Sequence, residues 1–138
     1  MRIWHEGIYG NEDAQEYLEI LSQIAEDCET LDEFLAVAHQ HPLTDFFTPR
    51  LILADLEADF AGEVTFFRDV IALIEHYSTP SMLEGWQNPE RRRKVLQGFN
   101  DSLHQRVAIY KPLDLYPYDE IFDWLIQKEE AGWLESVA

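Results

Sequence analysis

The sequence predicts an all-α fold, a single-domain compact bundle of about five to seven helices over residues 1–138. Three observations carry this expectation. Apolar residues recur at i, i+3, i+4 and i+7 in successive segments. Capping residues and prolines stand at the segment boundaries. The third is size and composition: 138 residues fit one domain, and 46% hydrophobic content with four Trp, six Tyr and eight Phe sets the chain apart from disordered sequences despite its charge.

The first helix is expected from Asn11, an N-cap followed by Glu12 and Asp13 in the first turn. Ala14, Tyr17, Leu18, Leu21, Ile24 and Ala25 form its buried face, and Glu12, Glu16 and Glu19 its acidic outer face. Before it, Gly7 and Gly10 let Trp4, Ile8 and Tyr9 fold back over the helix start as a hydrophobic plug. A competing reading makes Trp4 and Tyr9 a ligand pocket with His5.

Trp4, Gly7, Tyr9, Asn11, Glu12 and Ala14 resemble the opening W-G-x-G-x-F-x-N-D-x-A of a family of small bacterial proteins of unknown function. Tyr9 replaces Phe, Glu12 replaces Asp, and His5 stands where the pattern has its first glycine. The resemblance covers about a tenth of the chain. It implies a bacterial source and a helical fold, and no mechanism.

Thr30 and Glu33 have capping-box spacing, so a second helix starts there and buries Leu31, Phe34, Leu35 and Ala38. It ends near His41-Pro42. Cys28, among acids and without a thiolate-stabilising neighbour, reads as structural. His39 and His41 lie on different sides of a helix, which favours a helix-terminal role over metal ligation.

Thr48 and Pro49 read as a cap and first helical residue opening the stretch 49–77, the longest apolar-periodic run. Leu51, Ile52, Leu53, Leu56 and Phe60 are too dense for a surface helix, so this segment should pack on more than one side. Gly62 either ends it or marks a kink. Asp55, Asp59 and Glu63 recur every four residues, which stacks like charges on one helical face and calls for positive charge opposite.

The turn-rich passage after Tyr77 leads to Asn88-Pro89, a further helix start. Arg91, Arg92, Arg93 and Lys94 follow, and the economical expectation is that they pair with the Asp55, Asp59 and Glu63 stripe rather than with nucleic acid. The core-facing positions of this helix are Val95, Leu96, Phe99, Leu103, Val107 and Tyr110. Pro112 and Pro117 hold an extended link, and a last helix with Ile121, Phe122, Trp124, Leu125 and Ile126 should stop at Gly132.

The charge is extreme and uneven. The net charge is -17, and residues 1–90 hold 19 acids and three bases against eight and seven in residues 91–138. Such a surface repels nucleic acid and anionic lipid and attracts basic proteins. The single cysteine, with neither a signal-peptide series nor a membrane-length apolar run, points to a cytoplasmic protein. Hydrolase nucleophile motifs and glycine-rich phosphate loops are absent, so an enzyme is the less favoured class.

The leading expectation is an acidic protein-binding module that neutralises a basic partner, such as a nuclease toxin or a nucleic-acid-binding protein, in the manner of an immunity protein, an antitoxin or a nucleic-acid mimic. Glu12, Glu16, Glu19, Asp55, Asp59 and Glu63 would supply charge, and Trp86 or Trp133 an aromatic anchor. No cofactor or metal is assigned. The alternative is a small metal-binding protein or metal-dependent enzyme using His39, His41, Asp101 or His104. A further alternative is a housekeeping domain whose acidity serves only solubility.

Overall fold

Ten of the fourteen residues of Phe47–Phe60 are buried, eight of them consecutive from Leu51 to Ala58. A helix buried over eight successive positions has no solvent face, so it must be enclosed. In the computed structural model, which describes residues 6–107 and 117–136, this central helix is α3 of seven. The others are α1 (Glu12–Asp27), α2 (Leu31–Gln40), α4 (Phe67–Tyr77), the single turn α5 (Pro80–Leu83), α6 (Pro89–Arg106) and α7 (Tyr118–Ser136). The architecture is an all-α bundle. A 3₁₀ turn at Pro42–Asp45 joins α2 to α3, and α3 packs against that turn, α1, α4 and α6, while α7 lies along α1.

Three of the caps read from sequence form, and Thr48, read as a fourth, instead lies inside the helix it was expected to cap. Asn11 Oδ1 accepts from the Ala14 amide at 2.8 Å, Thr30 Oγ1 from Glu33 at 3.1 Å, and Asn88 Oδ1 from Arg91 at 3.1 Å. His41 ends α2, and its Nδ1 accepts from the Leu43 amide at 3.2 Å, so this histidine caps the 3₁₀ turn. Cys28 is the buried C-cap of α1, and burial with nearby Glu33 and Asp27 pushes its thiol pKa up. Its structural reading agrees with this environment.

Two boundaries differ from the sequence reading, at the start of α3 and at Gly132, and one left open, at Gly62, is resolved. α3 begins at Phe47 with Phe46 as N-cap, which places Pro49 third in the helix; a first-turn amide has no intrahelical acceptor, so proline is tolerated there too. The Gly62 alternatives resolve to a stop. Gly62 takes φ 66°, and its amide donates to the Glu57 carbonyl at 3.1 Å as the left-handed turn after α3.

Gly132, expected to stop the last helix, lies inside α7. A Cβ there would run into the Tyr9 carbonyl oxygen and come 2.5 Å from Gln15 Nε2. This glycine is a point of close approach between α7 and the chain entering α1. Ile8 and Tyr9 are buried at that junction, in keeping with the expected plug; Trp4, His5, Tyr110 and Pro112 lie outside the described residues.

Candidate functional site

Burial of α3 forces its acids to find partners inside the protein. Asp55 is only 4% exposed. Arg106 Nη1, from the last turn of α6, lies 2.6 Å from Asp55 Oδ1 and 2.8 Å from Asp59 Oδ1. Tyr9 donates its hydroxyl to Asp55 Oδ2 at 2.5 Å, Lys128 Nζ of α7 stands 3.5 Å from the same oxygen, and the Trp124 indole donates to Asp59 Oδ2 at 2.7 Å. Burial opposes the Arg106 charge, but Asp55 and Asp59 outweigh it, and its pKa rises. Burial, then the Asp55 charge and hydrogen bond, push the Tyr9 phenol well above its ordinary value.

The stripe is therefore neutralised within the fold, and by different cations from those expected. Arg92, 2% exposed, donates to the Glu6 carbonyl at 3.0 Å, and its guanidinium carbon lies 4.0 Å from the centroid of the Trp86 ring. Burial lowers its pKa to about 10 against the opposing Glu6 charge. Arg93 bonds Glu90 on its own helix, while Arg91 and Lys94 are exposed. The tetrabasic run starts α6, whereas the cation that meets Asp55 and Asp59 is at its end. Glu63 has left the stripe: it is exposed in the α3–α4 connection, where helical spacing no longer applies.

A second buried acid, Glu57, was not singled out from the sequence. Its Oε1 lies 3.1 Å from His39 Nε2, and its Oε2 accepts from the Thr65 amide at 3.1 Å and the Thr65 hydroxyl at 2.6 Å. His39 thus bridges α2 to α3, beyond the helix-terminal role expected. The signal was present in the density of apolar neighbours around Glu57, which implied burial and hence partners. Nearby, Tyr17 and Thr44 share a hydrogen bond at 2.8 Å; burial, with the Glu57 charge adding to it, pushes the Tyr17 pKa up to about 12 against the lowering effect of Thr44.

The metal-ligand candidates do not converge. His39 faces Glu57, His41 caps the 3₁₀ turn, His104 sets its ring edge-on to Phe67 at 5.0 Å, and Asp101 is exposed. Among the described residues no group of three His, Cys, Asp or Glu side chains is arranged to hold a metal ion.

Four of the candidate contact residues do come together. Between α1 and α7 runs a groove of about 610 Å³ whose walls include Glu12, Glu16 and Glu19 from α1 and Ile126, Glu129 and Trp133 from α7. All four acids are exposed, and Ile126 and Trp133 are each 52% exposed. Helical spacing makes this possible: 12, 16 and 19 share one face of α1, and 126, 129 and 133 one face of α7. Leu18 and Leu125 form part of the lining, and Ser22 and Gln15 add neutral polar groups. The described lining contains no Lys or Arg. Trp86, the other proposed anchor, is half-buried with one ring face against Arg92.

No helix among the described residues is long and apolar enough to cross a membrane. No protein-family model, curated protein or solved structure matches the chain.

Proposed function

We propose that this protein is an acidic binding module that occludes a basic surface of another protein, and that it docks that surface in the α1–α7 groove. The observation that supports the reading is the union of four exposed carboxylates, Glu12, Glu16, Glu19 and Glu129, with the exposed Ile126 and Trp133 in one groove. Carboxylates attract Lys and Arg, and the apolar pair supplies contact area that charge alone does not. A partner segment with basic residues flanking an apolar ridge fits both features. Occluding such a segment is how an immunity protein, an antitoxin or a nucleic-acid mimic acts on its target.

Internal neutralisation of Asp55 and Asp59 narrows the reading, because the acids left for a partner lie chiefly on the outer helices. The test is comparative capture of basic proteins from the host cell by the wild type and by a Glu12→Lys, Glu16→Lys, Glu19→Lys triple variant. The wild type is expected to retain a basic protein at low salt and release it near ~0.5 M salt, where the screening length is only a few ångströms. The triple variant is expected to lose it. Equal retention by both proteins would refute the proposal.

A further inference from the structure

On the side of α7 away from that groove lies a second concavity, a cleft of about 490 Å³ between α6, α7 and residues 7–9. Its chemistry is the reverse of the groove's. Ile8, Val95 and Phe99 make an apolar wall, and Arg106, Lys128 and Ser102 bring donors to it. Arg106 and Lys128 sit on the two oxygens of the single Asp55 carboxylate, at 2.6 Å and 3.5 Å.

The Lys128 ammonium is the informative group. Its Nζ lies 5.3 Å from the Tyr9 ring centroid and 5.2 Å from that of Trp124. Apart from the long ion pair to Asp55 it has no hydrogen-bond partner among the described residues. An ammonium carries three donors, and the aromatic faces satisfy its charge without accepting directed hydrogen bonds. Arg106 directs Nη1 to Asp55 and Asp59 and Nε to the Ser102 carbonyl. Two cations, Lys128 with donors that no described residue takes, are held in place by a buried carboxylate and face an apolar wall inside a protein of net charge -17.

We infer that this cleft is a binding site for a small organic acid, with the carboxylate received by Lys128 and Arg106 and an apolar or aromatic body lying against Val95 and Phe99. Asp55 is a positioning residue here, because it orients both cations. Its charge and that of Asp59 balance theirs, so the incoming carboxylate gains charge-assisted hydrogen bonds without meeting a net local anion. The distant acids of the outer helices still repel it, and salt screens that repulsion. Affinity for the acid should consequently rise with moderate salt, opposite in sign to the salt dependence expected for a basic partner in the groove. The two sites lie on different faces of α7, and the inference stands without the groove proposal.

The test is a titration of the full chain with 3-phenylpropionate and with its uncharged amide, read by NMR at the Trp124 indole N–H, which donates to Asp59 within this cluster. A saturable shift is expected with the acid, with affinity at least about 10-fold above that for the amide. Lys128→Met should reduce that preference, with Arg106 remaining to receive the carboxylate; Asp55 keeps Arg106 and Tyr9 as partners, so the variant stays folded. Val95→Trp, which fills the cleft, should abolish binding of both. In the wild type alone, the absence of a saturable shift up to ~10 mM, about the limit for a ligand of this size, would overturn the inference. So would equal affinity for acid and amide.

Discussion

Arg106, the last residue of α6, holds Asp55 of the central helix at 2.6 Å, across 51 residues of sequence. It also holds Asp59, and the shared guanidinium is what permits two acids one turn apart on a buried helix. Without it, Asp55 would retain Tyr9 and the longer Lys128 contact, and Asp59 its Trp124 bond.

Arg106→Met should therefore destabilise the protein by roughly 3 kcal/mol, the low end for breaking a buried pair, since partial compensation remains. Urea unfolding monitored by circular dichroism measures this. Arg93→Ala, which removes a surface pair on α6, should leave the unfolding midpoint close to that of wild type.

Two glycines should respond oppositely to the same change. Gly132→Ala would drive a methyl group into the Tyr9 carbonyl, so α7 must shift from α1 at a cost of about 1–3 kcal/mol. Gly98, inside α6, has nothing within 4 Å of where a methyl group would sit, and Gly98→Ala should stabilise by about 0.5–1 kcal/mol through helix propensity alone. Thermal and urea unfolding of the two variants compare them directly.

Tyr17 supplies a pH dependence. Its phenol titrates at about 12 when folded and near 10, the ordinary tyrosine value, when unfolded. Between those values the unfolded chain has released a proton that the folded chain retains. Stability that is fully present below pH 10 is thus lost as pH rises towards 12, by up to ~1.4 kcal/mol per pH unit from this residue. Unfolding of wild type and Tyr17→Phe across pH 9–12 isolates the effect, because Tyr9 and Arg92 titrate in both proteins. The wild type should lose stability relative to the variant above pH 10.

Much of the fold was legible because helix signals are local. Asn11, Thr30 and Asn88 cap where their side chains and following acids or proline indicated, and the density of apolar residues from Leu51 to Leu56 announced an enclosed helix. Pairings across the bundle were not legible. The stripe demanded a cation, and Arg91–Lys94 was the conspicuous supply, but which end of α6 meets α3 depends on packing that no local pattern encodes. Gly132 shows the same limit: a glycine near the end of a helical run reads as a stop unless the stretch of chain it must touch is known. Glu12, Glu16 and Glu19 were visible as the outer face of α1 and Trp133 as a residue past an expected stop at Gly132, whereas Glu129 was not singled out and the convergence of all five depended on α7 lying along α1.

The most direct test of the binding proposal places a photo-crosslinking residue at Ile126, on the groove wall, and separately at Ser81, exposed on α5, in the host cell. The account predicts a discrete adduct with a Lys- and Arg-rich protein from position 126 only, lost when Glu12, Glu16 and Glu19 are changed to Lys. No adduct from position 126, or the same adducts from both positions, would contradict it.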